Sequence, residues 1–367
     1  VESVVQGLAE TGYDEVSLTS LSSTDHSQIA SILTRINRAC DGKGVRISVP
    51  SQRLDSFGVD MAELVAGQKK GGLTFAPEAG TQRLRDVINK NVTEDDLFGA
   101  LDAAFKAGWR RCKLYFMIGL PTETDDDIKG IASLAQRAYD RMKAATPPEQ
   151  RGSLRMSVSC ALFVPKAQTP FQWDGQIPPE EALRRVQLLR NSVKYRAVDV
   201  HWHDPATSFV EAVMSRAGRE AAAWVETAWR RGARFDAWTE CFAEAAWREA
   251  ADEVGIDPAA IAQTAYPTTR VMPWEHISTG VSTRWLARER AWPTRAARRP
   301  TACSRTARPA ARARRSGWTT SWPSPAWRPA RTRSSPRAVM DEAAKPSSFA
   351  IPGKGGEADA SSVILGE

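Results

Sequence analysis

Residues 1–175 alternate short runs rich in β-branched and aromatic residues with longer amphipathic segments, a rhythm that confines the chain to βα units around a parallel sheet. The opening residues up to Glu10 read as the end of a helix. Strands are predicted at Glu15–Ser20, Val45–Val49, Leu73–Ala76, Cys112–Ile118 and Met156–Val164. Helices are predicted at Asp25–Cys40, Met61–Gln68, Thr81–Ile88, Glu94–Ala107 and Asp125–Met142. In the first of these, Ile29, Ile32, Leu33 and Ile36 fall on one face. Thr93 and Thr124 are the expected N-caps, with Asp96 and Asp127 three residues on to close capping boxes. The pattern predicts an α/β fold, a partial (β/α) barrel of parallel strands missing its first strand. A doubly wound sheet accounts for the same pattern.

From Pro179 to about Gln263 the spacing is helical and rich in tryptophan. Trp224/Ala228 and Trp238/Phe242 stand at i and i+4 and predict buried helix faces. Pro293–Arg337 differs in kind. It holds twelve Arg, seven Pro and three Trp, with no Leu, Ile, Val, Met, Phe, Tyr, Asp, Glu or Lys. Such a composition buries too little apolar surface to offset its ordering entropy. The expected organisation is therefore a barrel part over residues 1–178, a helical region over 179–292 and a disordered basic tail over 293–367. Two accounts of the tail stand: a GC-rich gene read out of frame, or an RNA-binding extension.

The formal charge of +7 is local to that stretch, because removing its twelve Arg leaves a net of −5 on the rest. No run of about 18 uncharged apolar residues occurs, so no membrane helix is expected. The N-terminus lacks both the basic start and the apolar run of a signal peptide. It also lacks an initial Met, which points to an unusual start or to a chain beginning inside a longer protein. The five cysteines, Cys40, Cys112, Cys160, Cys241 and Cys303, are scattered and odd in number, as in a reduced, cytoplasmic protein.

Working residues of a barrel sit at the C-terminal ends of its strands. At the end of one lies Phe75-Ala76-Pro77-Glu78-Ala79-Gly80, where Glu78 is placed to accept hydrogen bonds from a ligand and Gly80 follows it closely. Taken alone, Glu78 reads better as an exposed loop carboxylate. Along Lys113–Glu123, Leu114, Phe116 and Ile118 form a face suited to packing under helices, and Lys113, Tyr115, Met117 and Gly119 form the other. Lys113 on that second face needs an anion or water, or else snorkels out from the strand's beginning. Gly119 lets a ligand approach the backbone. The stretch Cys160–Trp173, with two prolines and three aromatics, predicts a stiff loop leaving the strand to close one side of a site, or a plug in the barrel. His201 and His203 share a strand face but lack a third ligand nearby, and read as a structural pair rather than a zinc site.

Taken together, FAPEAGTQRLRDVINKNVTEDDL followed by KLYFMIGLPTET resembles the glutamate strand and the fifth-strand Gly-Leu-Pro-x-Glu-Thr segment of the radical S-adenosylmethionine superfamily. The similarity is greatest to its cobalamin-binding-domain, methylthiotransferase- and elongator-like branch. SLTSLSSTDH, ISVPSQRLDSF, FVPKAQTPFQW, HWHDPATSFVEAVMSRAGRE and MPWEHISTGV extend the resemblance as far as Trp292. It implies S-adenosylmethionine bound against a four-iron four-sulfur cluster. Reductive cleavage then gives a 5′-deoxyadenosyl radical that takes hydrogen from a substrate the sequence does not identify. It implies cofactor contacts from Glu78, Gly80, Ser48, Ser51, Arg53, Lys113, Gly119, Leu120 and Pro121. It also implies a reductant such as ferredoxin or flavodoxin, and cobalamin through an N-terminal domain missing here. The superfamily's Cys-x-x-x-Cys-x-x-Cys is not present, so no metal ligand is assigned and the chain is expected to be inactive alone. A second expectation follows: a catalytically silent barrel serving as a binding or scaffold module, associated with RNA through its Arg-rich tail.

Overall fold

The structure, a computed structural model, describes residues 1–19, 26–49 and 73–291, all within one compact unit. The expected helix at 61–68 and the tail after Ala291 lie outside the described residues.

The first part runs α1 (Glu2–Thr11), β1 (Glu15–Ser17), α2 (Ile29–Ala39) and β2 (Arg46–Ser48), with β1 and β2 paired in parallel. A four-stranded sheet follows, built from β3 (Leu73–Glu78), β4 (Arg111–Ile118), β5 (Arg155–Leu162) and β6 (Val198–Trp202). Between them lie α3 (Gln82–Val87), α4 (Glu94–Lys106), α5 (Asp125–Ala144), a short 3-10 turn at Pro148–Ser153, and α6 (Pro179–Ser192). All three pairings are parallel and the spatial order β3-β4-β5-β6 follows the chain.

That order decides between the two expected architectures. A doubly wound sheet reverses its strand order at a switch point. Here each crossover advances one strand in the same direction. The helices accordingly cover one face: Leu114, Phe116, Val158 and Cys160 are buried against Leu101, Ile128, Leu134 and Val186. The sheet is wound like part of a (β/α) barrel, and among the described residues it does not close. Leu33, Ile36 and Ile47 of the first part join the same core.

The sheet also extends past residue 178. β6 lies inside the region expected to be helical, at the place where His201 and His203 read as sharing a strand face, and α6 sends Ala182, Val186 and Leu189 into the main core. Val198, Val200 and Trp202 alternate with Asp199 and His201, but five residues are too short a run to outweigh the helical spacing around them. The independent helical layer begins with α7 (Pro205–Arg216) and continues through α8 (Ala221–Arg230), α9 (Glu244–Val254) and α10 (Pro258–Gln263), with α11 (Thr283–Ala291) later. Its core is built on Trp224, Ala228 and Trp247, the two indoles meeting edge to face at 4.8 Å. The i, i+4 reading holds for Trp224/Ala228 and fails for Trp238/Phe242. Gly232 and Phe235 adopt positive φ (102° and 56°) and end the helical run, leaving Trp238 63% exposed.

Both capping boxes form. Thr93 and Asp96 bond reciprocally at the start of α4. At α5 the Asp127 carboxylate accepts from the Thr124 N–H and hydroxyl, both at 2.8 Å.

Candidate functional site

Because the four strands are parallel, their C-terminal ends form one rim. β3 reaches it irregularly: Phe75 stands opposite Leu114, but Glu78 rather than Pro77 stands opposite Phe116. Pro77 has no N–H for the ladder, which favours a bulge there. Glu78 leaves the bulge with φ 68°, a left-handed conformation that costs a non-glycine residue energy. Its carboxylate accepts a hydrogen bond from Lys90 Nζ at 3.1 Å, with both side chains partly exposed. Lys90 is brought back to the rim after α3 by Asn89, also at positive φ (56°), and by its own N–H, which donates to the Arg85 carbonyl at 2.8 Å. Beneath them the buried Arg85 donates to the Ala79 carbonyl at 2.9 Å.

Gly80 faces the other way. A Cβ there would strike the Asp127 carbonyl and the Ile131 nitrogen of α5, while a Cβ on Gly130 would sit 3.0 Å from the Gly80 carbonyl. Gly80 was expected to contact the cofactor; the close approach that demands glycine is to α5. The same helix holds Asp127, which accepts from Thr81, Arg83 and Thr124. Burial alone would raise the Asp127 pKa, but these hydrogen bonds outweigh it and the carboxyl lies below its usual range.

On the neighbouring strand, Gly119 turns the chain with φ 90°, where an added Cβ would press on Ile177 at 3.0 Å. Its N–H donates to Glu123 Oε2 at 2.7 Å, and the same oxygen accepts from Arg185 Nη1 at 2.7 Å. Glu123 Oε1 is buried without a partner. Burial pushes the Glu123 carboxyl above its usual range, against the opposing pull of the Gly119 N–H and Arg185. Leu120 is buried with Ala79, Leu84, Val87 and Phe163 in an apolar cluster at the rim, flanked by the half-buried Met117 and Phe171. Pro121 is half-exposed. Glu78 and the Gly119–Pro121 turn thus end adjacent strands on one rim, with an apolar cluster between them.

Residues 1–135 match the sequence profile of the Radical SAM superfamily. That span takes in both halves of this rim. An uncharacterized protein of Methanocaldococcus jannaschii is 27% identical over 186 residues, 51% of this chain and 38% of that protein. The chain therefore spans well under half the length of the curated relative it matches. A sugar phosphate isomerase/epimerase from Parabacteroides distasonis aligns over 76% of this chain and 93% of its own, at a TM-score of 0.30 and 12% identity.

The other expected radical SAM residues divide. Ser48 ends β2, while Ser51 and Arg53 lie outside the described residues. Lys113 lies on the half-exposed face of β4, its Nζ 5.4 Å from the Tyr115 ring centroid. Lys90, Arg83 and Glu123 carry no sequence signal beyond their place inside the two quoted motifs.

The described residues do not fit a cluster. They contain no group of three or more His, Cys, Asp and Glu side chains able to hold a metal. Cys112 and Cys160 lie within β4 and β5, where burial pushes both thiols up to about 12, far from the thiolate a cluster needs. His201 and His203, read as a structural pair rather than a zinc site, are both exposed. The loop after β5, read as a stiff wall or plug, is stapled to the C-terminal helices. Gln176 donates to the Phe163 and Ser208 carbonyls, and Trp274 Nε1 donates to Gln172 at 2.7 Å. No described helix is long and apolar enough to cross a membrane.

Proposed function

We propose that this chain carries the S-adenosylmethionine-binding rim of a radical SAM enzyme. The observation that supports this best is the adjacency of Glu78 and the Gly119–Pro121 turn, within the span matched by the superfamily profile. Glu78 is fixed by its backbone and by Lys90, and offers a carboxylate to ribose hydroxyls or an amino group. The Gly119–Pro121 backbone, held by Glu123, offers peptide edges beside an apolar patch suited to a purine. S-adenosylmethionine would supply a sulfonium and an adenosyl group for cleavage. The described residues do not supply the ligands of a cluster. Assignment to the cobalamin-binding branch and a ferredoxin- or flavodoxin-type reductant rest on motif resemblance, and a cytoplasmic setting on the scattered cysteines.

Calorimetric titration with S-adenosylhomocysteine tests the rim without requiring a cluster. Glu78→Gln and Gly119→Val should each weaken binding by about tenfold, roughly 1.4 kcal/mol. Unchanged affinity in both variants, or no binding by the parent chain, would remove the proposal. The second reading, a silent binding module, is favoured by the poor fit to a cluster. It gains if anaerobic reconstitution with iron and sulfide gives no thiolate-to-iron absorption while the chain still retains a partner.

A further inference from the structure

A parallel sheet is ordinarily buried on both faces, and its inner strands read as continuous apolar runs. β4 and β5 are inner strands that alternate instead. Cys112, Leu114, Phe116 and Ile118 are buried on one face, as are Met156, Val158, Cys160 and Leu162. The opposite face carries Lys113, Tyr115, Ser157 and Ser159, all reached by solvent, with Tyr115 39% exposed in mid-sheet.

Register groups these side chains. Thr74, Lys113 and Ser157 stand side by side across β3, β4 and β5, and Tyr115 stands beside Ser159 one step further along. Adjacent strands lie about 4.8 Å apart, so the hydroxyls of Thr74, Ser157, Tyr115 and Ser159 share one face with the Lys113 ammonium. Lys113 makes no ion pair among the described residues; its one neighbour of note is the Tyr115 ring. The acid on this row, Asp199, stands beyond Ser157 on β6, two strands or about 10 Å away. A cation on a partly enclosed face is costly to leave without a counter-charge. Ammonium and hydroxyl donors together suit an oxyanion.

We infer that this face binds the anionic group, carboxylate or phosphate, of the substrate, with Lys113 as its counter-charge and Ser157, Thr74 and Tyr115 as hydrogen-bond donors. The inference rests on the proposed function in one respect, that the rim and this face bound the same chamber.

The test is reductive ¹³C-methylation of the whole chain's lysines, followed by NMR titration with inorganic phosphate and, separately, acetate. The Lys113 resonance, assigned by its loss in Lys113→Met, should shift and saturate with at least one of them. Saturation by phosphate alone identifies a phosphate-bearing substrate, and by acetate alone a carboxylate-bearing one. Ser157→Ala, which leaves the charge in place, should weaken the response several-fold. A Lys113 resonance that drifts without saturating, as the exposed Lys129 should, overturns the inference. Titrating S-adenosylhomocysteine on the same sample separates the two ideas: binding there without an oxyanion response sinks this one and leaves the rim intact.

Discussion

Glu123 joins the Gly119 turn to Arg185 of α6 through one carboxylate oxygen, with the other buried and unbonded. Since burial raises its pKa in the folded chain, the native state holds this proton at pH values where the unfolded chain has released it. Stability must then fall as pH rises from the unfolded carboxyl value toward the raised native one. Asp127 acts in the opposite sense: its lowered pKa contributes stability that is complete above the unfolded carboxyl value and is lost as acid titrates the native group. Glu123→Gln, which keeps the shape and cannot titrate, should flatten the decline on the neutral side and leave the acid side unchanged. Urea midpoints measured between pH 4.5 and 8 check this, and parallel curves for the two proteins would contradict it. Neither behaviour was legible from residue identity, because both carboxylates belong to a helix entry that reads as exposed. Asp127 is recognisable as a cap, but its bonds to Thr81 and Arg83 depend on α5 meeting β3's exit loop.

At the scale of elements, propensity located β3, β4, β5 and the helices between them to within a few residues. Each has a strong period and a signalled start. β6 and the end of α8 were misread for opposite reasons. β6 is set by the exposed backbone edge of β5 and needs little of its own sequence. The apolar spacing after Trp229 suggests a helix that Gly232 interrupts. Among the contacts that tie the helical layer to the loop after β5 is a buried side chain, Arg216 at the end of α7. It donates to the carbonyls of Asp174 at 2.7 Å, Ala262 at 2.8 Å and Thr264 at 2.6 Å, and stacks on Tyr266. Asp174 is gripped again by Arg290 of α11 at 2.8 and 3.0 Å. Arg216→Met would strand the Asp174 and Thr264 carbonyls at roughly 1 kcal/mol or more each, while Ala262 keeps the Gln176 N–H, so a loss of about 2–3 kcal/mol is expected. Hydrogen exchange should show it as faster exchange over α10 and the residues after it, with β4 and β5 amides unaffected. Uniform acceleration across the sheet would mean the layers are not separable in this way.

At the scale of the molecule, the excess positive charge is confined to one stretch of the sequence. Deleting Pro293–Arg337 takes the formal net charge from +7 to −5. At pH 7 the parent chain should bind a cation exchanger and the deleted chain an anion exchanger. If the Arg-rich stretch is the whole basis of any affinity for RNA, filter retention of a mixed-sequence RNA should vanish with it and should already fall steeply with salt. Retention surviving the deletion would place an RNA surface on the α/β body and strengthen the scaffold reading.

The contact between Gly80 and Gly130 has a consequence for how this protein can vary. Neither position can acquire a methyl group unless a whole helix backs away from the strand exit. That helix also carries the acid to which Thr81 and Arg83 are tethered. A substitution at Gly130, remote from the rim in sequence, would therefore be felt at Glu78's doorstep, and the two glycines should change together or not at all.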